Sequence, residues 1–75
     1  MKQILTDIAK ALVTRPEEVA VVERSEGNTL RLELSVAPED MGKVIGKQGR
    51  IAKAIRSVMK ACGNKQNLKV VVDIV

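Results

Sequence analysis

The residues best suited to chemistry lie between Met41 and Arg56, in the run MGKVIGKQGRIAKAIR. Gly46 and Gly49 bracket Lys47 and Gln48, with the apolar pair Val44-Ile45 in front and an amphipathic run behind. Glycine lets a backbone bend sharply and approach another surface closely, because it has no Cβ to clash. A helix that starts just after such a bend presents free N–H groups and the positive end of its dipole, which suit an anion. Lys47 and Arg50 add mobile charge at the same place. The pattern predicts a phosphate-gripping turn between two helices.

Competing chemistries are poorly supplied. Gly42 to Gln48 superficially matches a nucleotide-binding P-loop, but the spacing is one residue short and Gln48 stands where a magnesium-holding Ser or Thr is needed. The segment also reads as helix, whereas a P-loop follows a strand. The chain has no histidine and one cysteine, so it cannot assemble a His/Cys zinc site or a Ser–His or Cys–His nucleophile pair. Glu17-Glu18 and Glu39-Asp40 fall at connections and helix starts, where they cap and solvate. We therefore expect no enzyme, no metal and no cofactor. Cys62, near the end of a helical run, reads as a small apolar residue of the interior.

Phe, Tyr and Trp are absent, which argues against modules that read single strands by stacking bases on aromatic side chains. Charge points to a polyanion nonetheless. Met1 to Asp40 carries five basic and eight acidic residues. Met41 to Val72 carries eight basic residues (Lys43, Lys47, Arg50, Lys53, Arg56, Lys60, Lys65 and Lys69) and no acidic one. Lysines of an ordinary solvated surface are interspersed with Glu and Asp, and these are not.

The elements that must position this turn follow from periodicity. Seventy-five residues make one domain with a modest core. Ile4, Leu5, Ile8, Ala9, Ala11 and Leu12 predict a helix over Lys2–Val13, stopped by Arg15-Pro16. The same stretch is broken by Thr6, Asp7 and Lys10, so it does not read as a secretory signal, and no apolar run is long enough to span a membrane. The expectation is a cytoplasmic protein. A valine-rich strand over Val19–Glu26, the turn Gly27-Asn28, and strict alternation over Thr29–Val36 predict an antiparallel hairpin. Pro38 suits the first turn of a short helix running to Ile45. Gly42 inside that helix lowers its propensity by about 1 kcal/mol relative to alanine, which predicts a close neighbour there. A second helix runs from the turn to about Cys62, and Gly63-Asn64 predicts a left-handed stop. Its apolar arc is wider than packing on one sheet requires. Leu68 to Ile74 alternates as a final strand, parallel to Thr29–Val36 through the helical crossover. The fold class is α+β, in the order αββααβ, with a three-stranded mixed sheet covered on one face by three helices.

Val44, Ile45, Gly46 and Gly49, set between two helical patterns with strands outside them, resemble the Ile-Ile-Gly-x-x-Gly-x-x-Ile signature of the KH domain, a module that binds RNA and single-stranded DNA. The resemblance covers nearly all of residues 1–75 as a single KH domain of the type II order, and looks closest to the small bacterial KhpA (YlqC) family. One position departs: Ala52 stands where many KH domains carry Ile, with Ile51 just before it. The resemblance implies single-stranded RNA bound with low sequence specificity, about four nucleotides at a time. It places the GxxG turn on the sugar-phosphate backbone through Lys47 and Gln48, with Arg50, Lys53 and Arg56 adding backbone contacts. Val44, Ile45, Ala52 and Ile55 would floor an aliphatic groove between the helices and the last strand. It further implies a post-transcriptional regulator or RNA chaperone that forms a homodimer or associates with a KhpB/Jag-like KH protein. The alternative is a protein–protein adaptor that uses the apolar face of the helix after the turn, with Ile51 facing out.

Overall fold

In the computed structural model, which describes all 75 residues, the chain opens with helix α1 at Lys2–Leu12. Its stripe at helical spacing turns Leu5 and Ala9 fully into the core. The chain is extended at Val13, and the connection that holds Glu17 and Glu18 is a single 3-10 turn at Pro16–Glu18. Strand β1 (Ala20–Glu26) pairs antiparallel with β2 (Thr29–Ser35), Ala20 opposite Ser35 and Glu26 opposite Thr29. The expected helix from Pro38 divides into a 3-10 turn at Pro38–Asp40 and the short helix α2 at Met41–Ile45. Helix α3 (Arg50–Asn64) leads to β3 (Lys69–Ile74), which lies parallel to β2 with Thr29 beside Lys69 and Leu34 beside Ile74.

The sheet order is β1-β2-β3. Central strand β2 contributes Leu30, Leu32 and Leu34 to the core, as its alternation dictates. They meet Leu5 and Ala9 of α1, Ile55 and Met59 of α3, and Val21, Val70 and Val72 of the flanking strands. The helices lie on one face, α1 against β1 and α3 against β3, while α2 packs on the other two helices. The opposite face is mainly polar, with Val22 and Val71 among its residues, and carries the ion pairs Arg24–Glu33 at 3.1 Å and Arg31–Asp73 at 2.7 Å.

Two glycine expectations are corrected by the packing. At Gly42 nothing lies within 4 Å of where a Cβ would stand, so no neighbour comes close there. Gly63 does not stop α3, which continues through Asn64, and the left-handed residue of the connection is Asn67 at φ 56°. Gly63 is instead buried against β3: a Cβ on it would fall on Val70 Cγ2 and 2.8 Å from the Leu68 carbonyl oxygen. Close approach of helix and strand, not a turn, is what requires glycine at that position.

Asp40 fixes the entry to α2. It is fully buried, and its carboxylate accepts hydrogen bonds from the Thr14 N–H (3.1 Å), the Thr14 hydroxyl (2.8 Å) and the Arg15 N–H (3.1 Å). Burial opposes its ionisation, but the bonds from Thr14 and Arg15, with the charge of Lys43, outweigh it and hold the carboxyl below the usual carboxylate range. The end of α1 is thereby tied to the element that carries the glycine turn.

Candidate nucleic-acid interface

The Gly46 N–H closes α2 on the Gly42 carbonyl at 2.9 Å, and the chain then leaves the helix at φ 75°, ψ 176°. That region is essentially reserved for glycine. A Cβ at Gly46 would also lie 2.6 Å from Ile51 Cγ1, so the turn is packed down on the first turn of α3. Lys47–Gly49 forms one 3-10 turn, with the Gly49 N–H on the Gly46 carbonyl at 3.2 Å. Gly49 is left-handed (φ 74°) with open space around it. Gln48 is left-handed too (φ 57°, ψ 24°), a conformation that costs an L-residue about 1 kcal/mol. The consequence is that Lys47 and Gln48 both project into solvent at the mouth of α3.

Beyond the turn, Arg50, Lys53 and Arg56 are exposed along α3. Arg56 donates through Nε to the Val72 carbonyl at 3.2 Å, which anchors it over the outer edge of β3. The N–H groups of Lys69 and Val75 bond to the carbonyls of Asn28 and Leu34, so the odd-numbered residues of β3 face β2. The backbone groups of Val70, Val72 and Ile74 consequently face the open edge. Basic side chains of α3 therefore lie beside the outer edge of β3, where the Val72 carbonyl is taken up by Arg56. None of the eight basic residues from Lys43 to Lys69 takes part in an ion pair, since all four ion pairs use Arg15, Arg24 or Arg31.

The apolar residues assigned to the groove floor separate into two groups. Ile45 is 37 % exposed and can touch a ligand. Val44 (0 %), Ala52 (4 %) and Ile55 (4 %) are buried; they support the surface from beneath, and Ile55 belongs to the central core. Ile51 does not stand out into solvent: it is half-buried, lies on Gly46 and packs against the core. The exposed members of that face are Ala54 and Val58, the latter at 47 %. With Ile8, Leu12, Ile51, Ala54, Ile55 and, at its end near the turn, Arg50, Val58 lines a mainly apolar cleft of about 450 Å³ between α1 and α3. Cys62 is half-buried with a free thiol.

The sequence reading missed a second cleft, of about 420 Å³, where α3 ends and β3 begins, lined by Lys60, Asn64, Asn67, Leu68, Lys69 and Val70. Its signal was present in the spacing: Lys60 and Asn64 follow Arg56 at intervals of four on one helix face.

Comparison with known proteins agrees with this geometry. The family model described as KhpA/KhpB, KH domain matches residues 2–74. The chain is 63 % identical over 75 residues to the RNA-binding protein KhpA of Clostridium acetobutylicum, covering all of both chains. It is 60 % identical to that of Clostridium perfringens, again over all of both. Against that of Listeria monocytogenes it is 45 % identical, covering all of this chain and 99 % of the relative.

Proposed function

The chain belongs to the KhpA/KhpB family of KH domains, and on that premise we propose that it binds single-stranded RNA, with low sequence specificity, through the Gly46–Gly49 turn. One observation carries the reading: a glycine turn held in left-handed geometry opens onto a row of basic side chains that no acidic residue neutralises. Lys47 and Gln48 meet phosphate oxygens, helped by the N–H groups at the start of α3. Arg50 and Lys53 follow the backbone. The bases lie over Ile45 toward Arg56 and the open edge of β3. Backbone groups and aliphatic surface do most of the contacting there, and these discriminate weakly among bases, which supports low specificity. The reading is that of a binding module rather than an enzyme, serving transcripts in the cytoplasm as a regulator or RNA chaperone.

The test is fluorescence anisotropy of a short labelled single-stranded RNA with wild-type protein and with Lys47→Asp/Gln48→Asp at two salt concentrations. With about three phosphate contacts, log K should fall with log salt at a slope near −2. The variant, still folded by circular dichroism, should lose binding; equal affinity in both proteins would refute the phosphate grip.

A second surface is favoured by the apolar cleft between α1 and α3, where Val58 is half-exposed. We read it as the contact for a second copy or for a KhpB/Jag-like KH protein. One groove with few anchors binds weakly, and joining two raises the effective concentration of the second. This contact adds to RNA binding rather than replacing it.

A further inference from the structure

The geometry points to a further nucleotide subsite at the far end of the RNA path, in the cleft where α3 ends and β3 begins; it rests on the reading of Gly46–Gly49 as the RNA-gripping turn. Helix α3 and strand β3 run in opposite directions, with Arg56 over Val72 and Gly63 against Val70 and Leu68. The surface between them therefore runs on past Arg56 to the cleft at the end of α3. Arg56, Lys60 and Asn64 share one helix face, and the two turns from Arg56 to Asn64 extend the path by about 12 Å.

The cleft holds what a nucleotide presents. Lys60 is exposed, has no ion-pair partner, and suits a phosphate. Asn64 and Asn67 carry amides that both donate and accept, which suits a base edge or a ribose hydroxyl. Neither amide is engaged within the chain. Leu68, half-buried, supplies aliphatic surface on which a base face can rest, with the buried Val70 behind it. The connection is fixed by its backbone: the Leu68 N–H bonds to the Gly63 carbonyl at 2.9 Å and the Asn67 N–H to the Asn64 carbonyl at 3.3 Å. Asn67 is thus presented in a left-handed conformation by a structured loop. A simple anion would use the lysine alone; amides beside an aliphatic wall fit a base joined to a phosphate.

The experiment compares a tetrauridylate with a hexauridylate on the wild type, on Asn64→Ala/Asn67→Gly and on Lys60→Gln. Glycine keeps the positive φ at residue 67, and Lys60 is exposed, so folding of each is checked by circular dichroism. A hexamer offers about three registers on a groove for four nucleotides, so counting alone gives about a threefold gain. One charge-assisted contact adds a further factor on the order of ten. The expected result is a wild-type gain well above threefold that falls to about threefold in both variants, with tetramer affinity unchanged within about twofold. Lys60→Gln should also reduce the salt slope by about 0.7 for the hexamer only. A wild-type gain of only threefold, or variants that keep the excess, would overturn the subsite while leaving the turn intact. No binding of either oligomer by the wild type would overturn the turn and the subsite together.

Discussion

Two glycines sit inside helices of this protein, and the structure assigns opposite signs to replacing them with alanine. In a helix interior alanine is favoured over glycine by about 1 kcal/mol. At Gly42 nothing lies within 4 Å of the new Cβ, so Gly42→Ala should realise that gain in α2. At Gly63 the new methyl would fall on Val70 Cγ2 and 2.8 Å from the Leu68 carbonyl. The second of these is backbone, so α3 and β3 must move apart, and overpacking of this kind costs roughly 1–3 kcal/mol. Because that oxygen is backbone and cannot rotate away, the cost falls in the upper half of the range, about 2–3 kcal/mol; set against the same propensity gain, Gly63→Ala should lose about 1–2 kcal/mol net. Urea unfolding should show the midpoints moving in opposite directions with unchanged slope. In thermal unfolding each kcal/mol is about 4–8 °C for a domain of this size, so the two variants should differ by roughly 10 °C or more. Gly63→Ala at or above wild-type stability would refute the claim that helix and strand touch there, and with it the shape of the distal cleft.

The two glycines of the turn should also differ. Gly46→Ala meets both a glycine-only conformation and Ile51, and should cost roughly 2–4 kcal/mol and abolish RNA binding; Gly49→Ala, with open space, should cost only about 1 kcal/mol. Equal costs, read by urea midpoints, would mean that neither Ile51 nor its own backbone conformation sets Gly46 apart. Asp40 titrates below its unfolded value of about 3.9, so its stabilisation is present above that value and lost as pH falls through the folded one. Asp40→Asn should lower the urea midpoint at neutral pH and flatten its decline below about pH 4; an unchanged acid limb would show that another carboxylate governs it.

Local pattern made much of this molecule legible. Leucine at every second position of Thr29–Ser35 leaves one arrangement for a central strand, and two glycines three apart between amphipathic runs leave few alternatives to a turn. What stayed hidden depended on partners distant in sequence. Gly42 and Gly63 look alike along the chain, and only the strand lying across α3 makes one of them a packing residue. Glu39 and Asp40 look equally suited to a helix start. Yet the N–H groups of Thr14 and Arg15, left free where α1 ends, need an acceptor, and only Asp40 turns inward to supply it. Gln48 gave no sign of its left-handed backbone, because its propensity is ordinary and the turn imposes the conformation. Periodicity marked Val44, Ile51, Ile55 and Val58 as apolar without saying which of them water reaches.

That last ambiguity decides how association should be tested. Ile51→Asp, the change the sequence suggests for the apolar face, would alter two things at once. It places charge in the cleft between α1 and α3, and it removes the side chain on which Gly46 rests. Loss of RNA binding and loss of association would then be inseparable. Val58 lines the same cleft two turns further along α3, is 47 % exposed, and is remote from the turn. A carboxylate forced into a dry contact there costs several kcal/mol, enough to separate subunits. Val58→Asp should therefore sediment as a smaller species than the wild type while binding a tetranucleotide within about twofold of it. Ile51→Asp should lose both properties. If Val58→Asp sediments as the wild type does, the cleft is not the contact surface and the adaptor reading loses its support. If Ile51→Asp binds RNA normally, the turn holds its shape without Ile51, and the difference between Gly46 and Gly49 must come from backbone conformation alone.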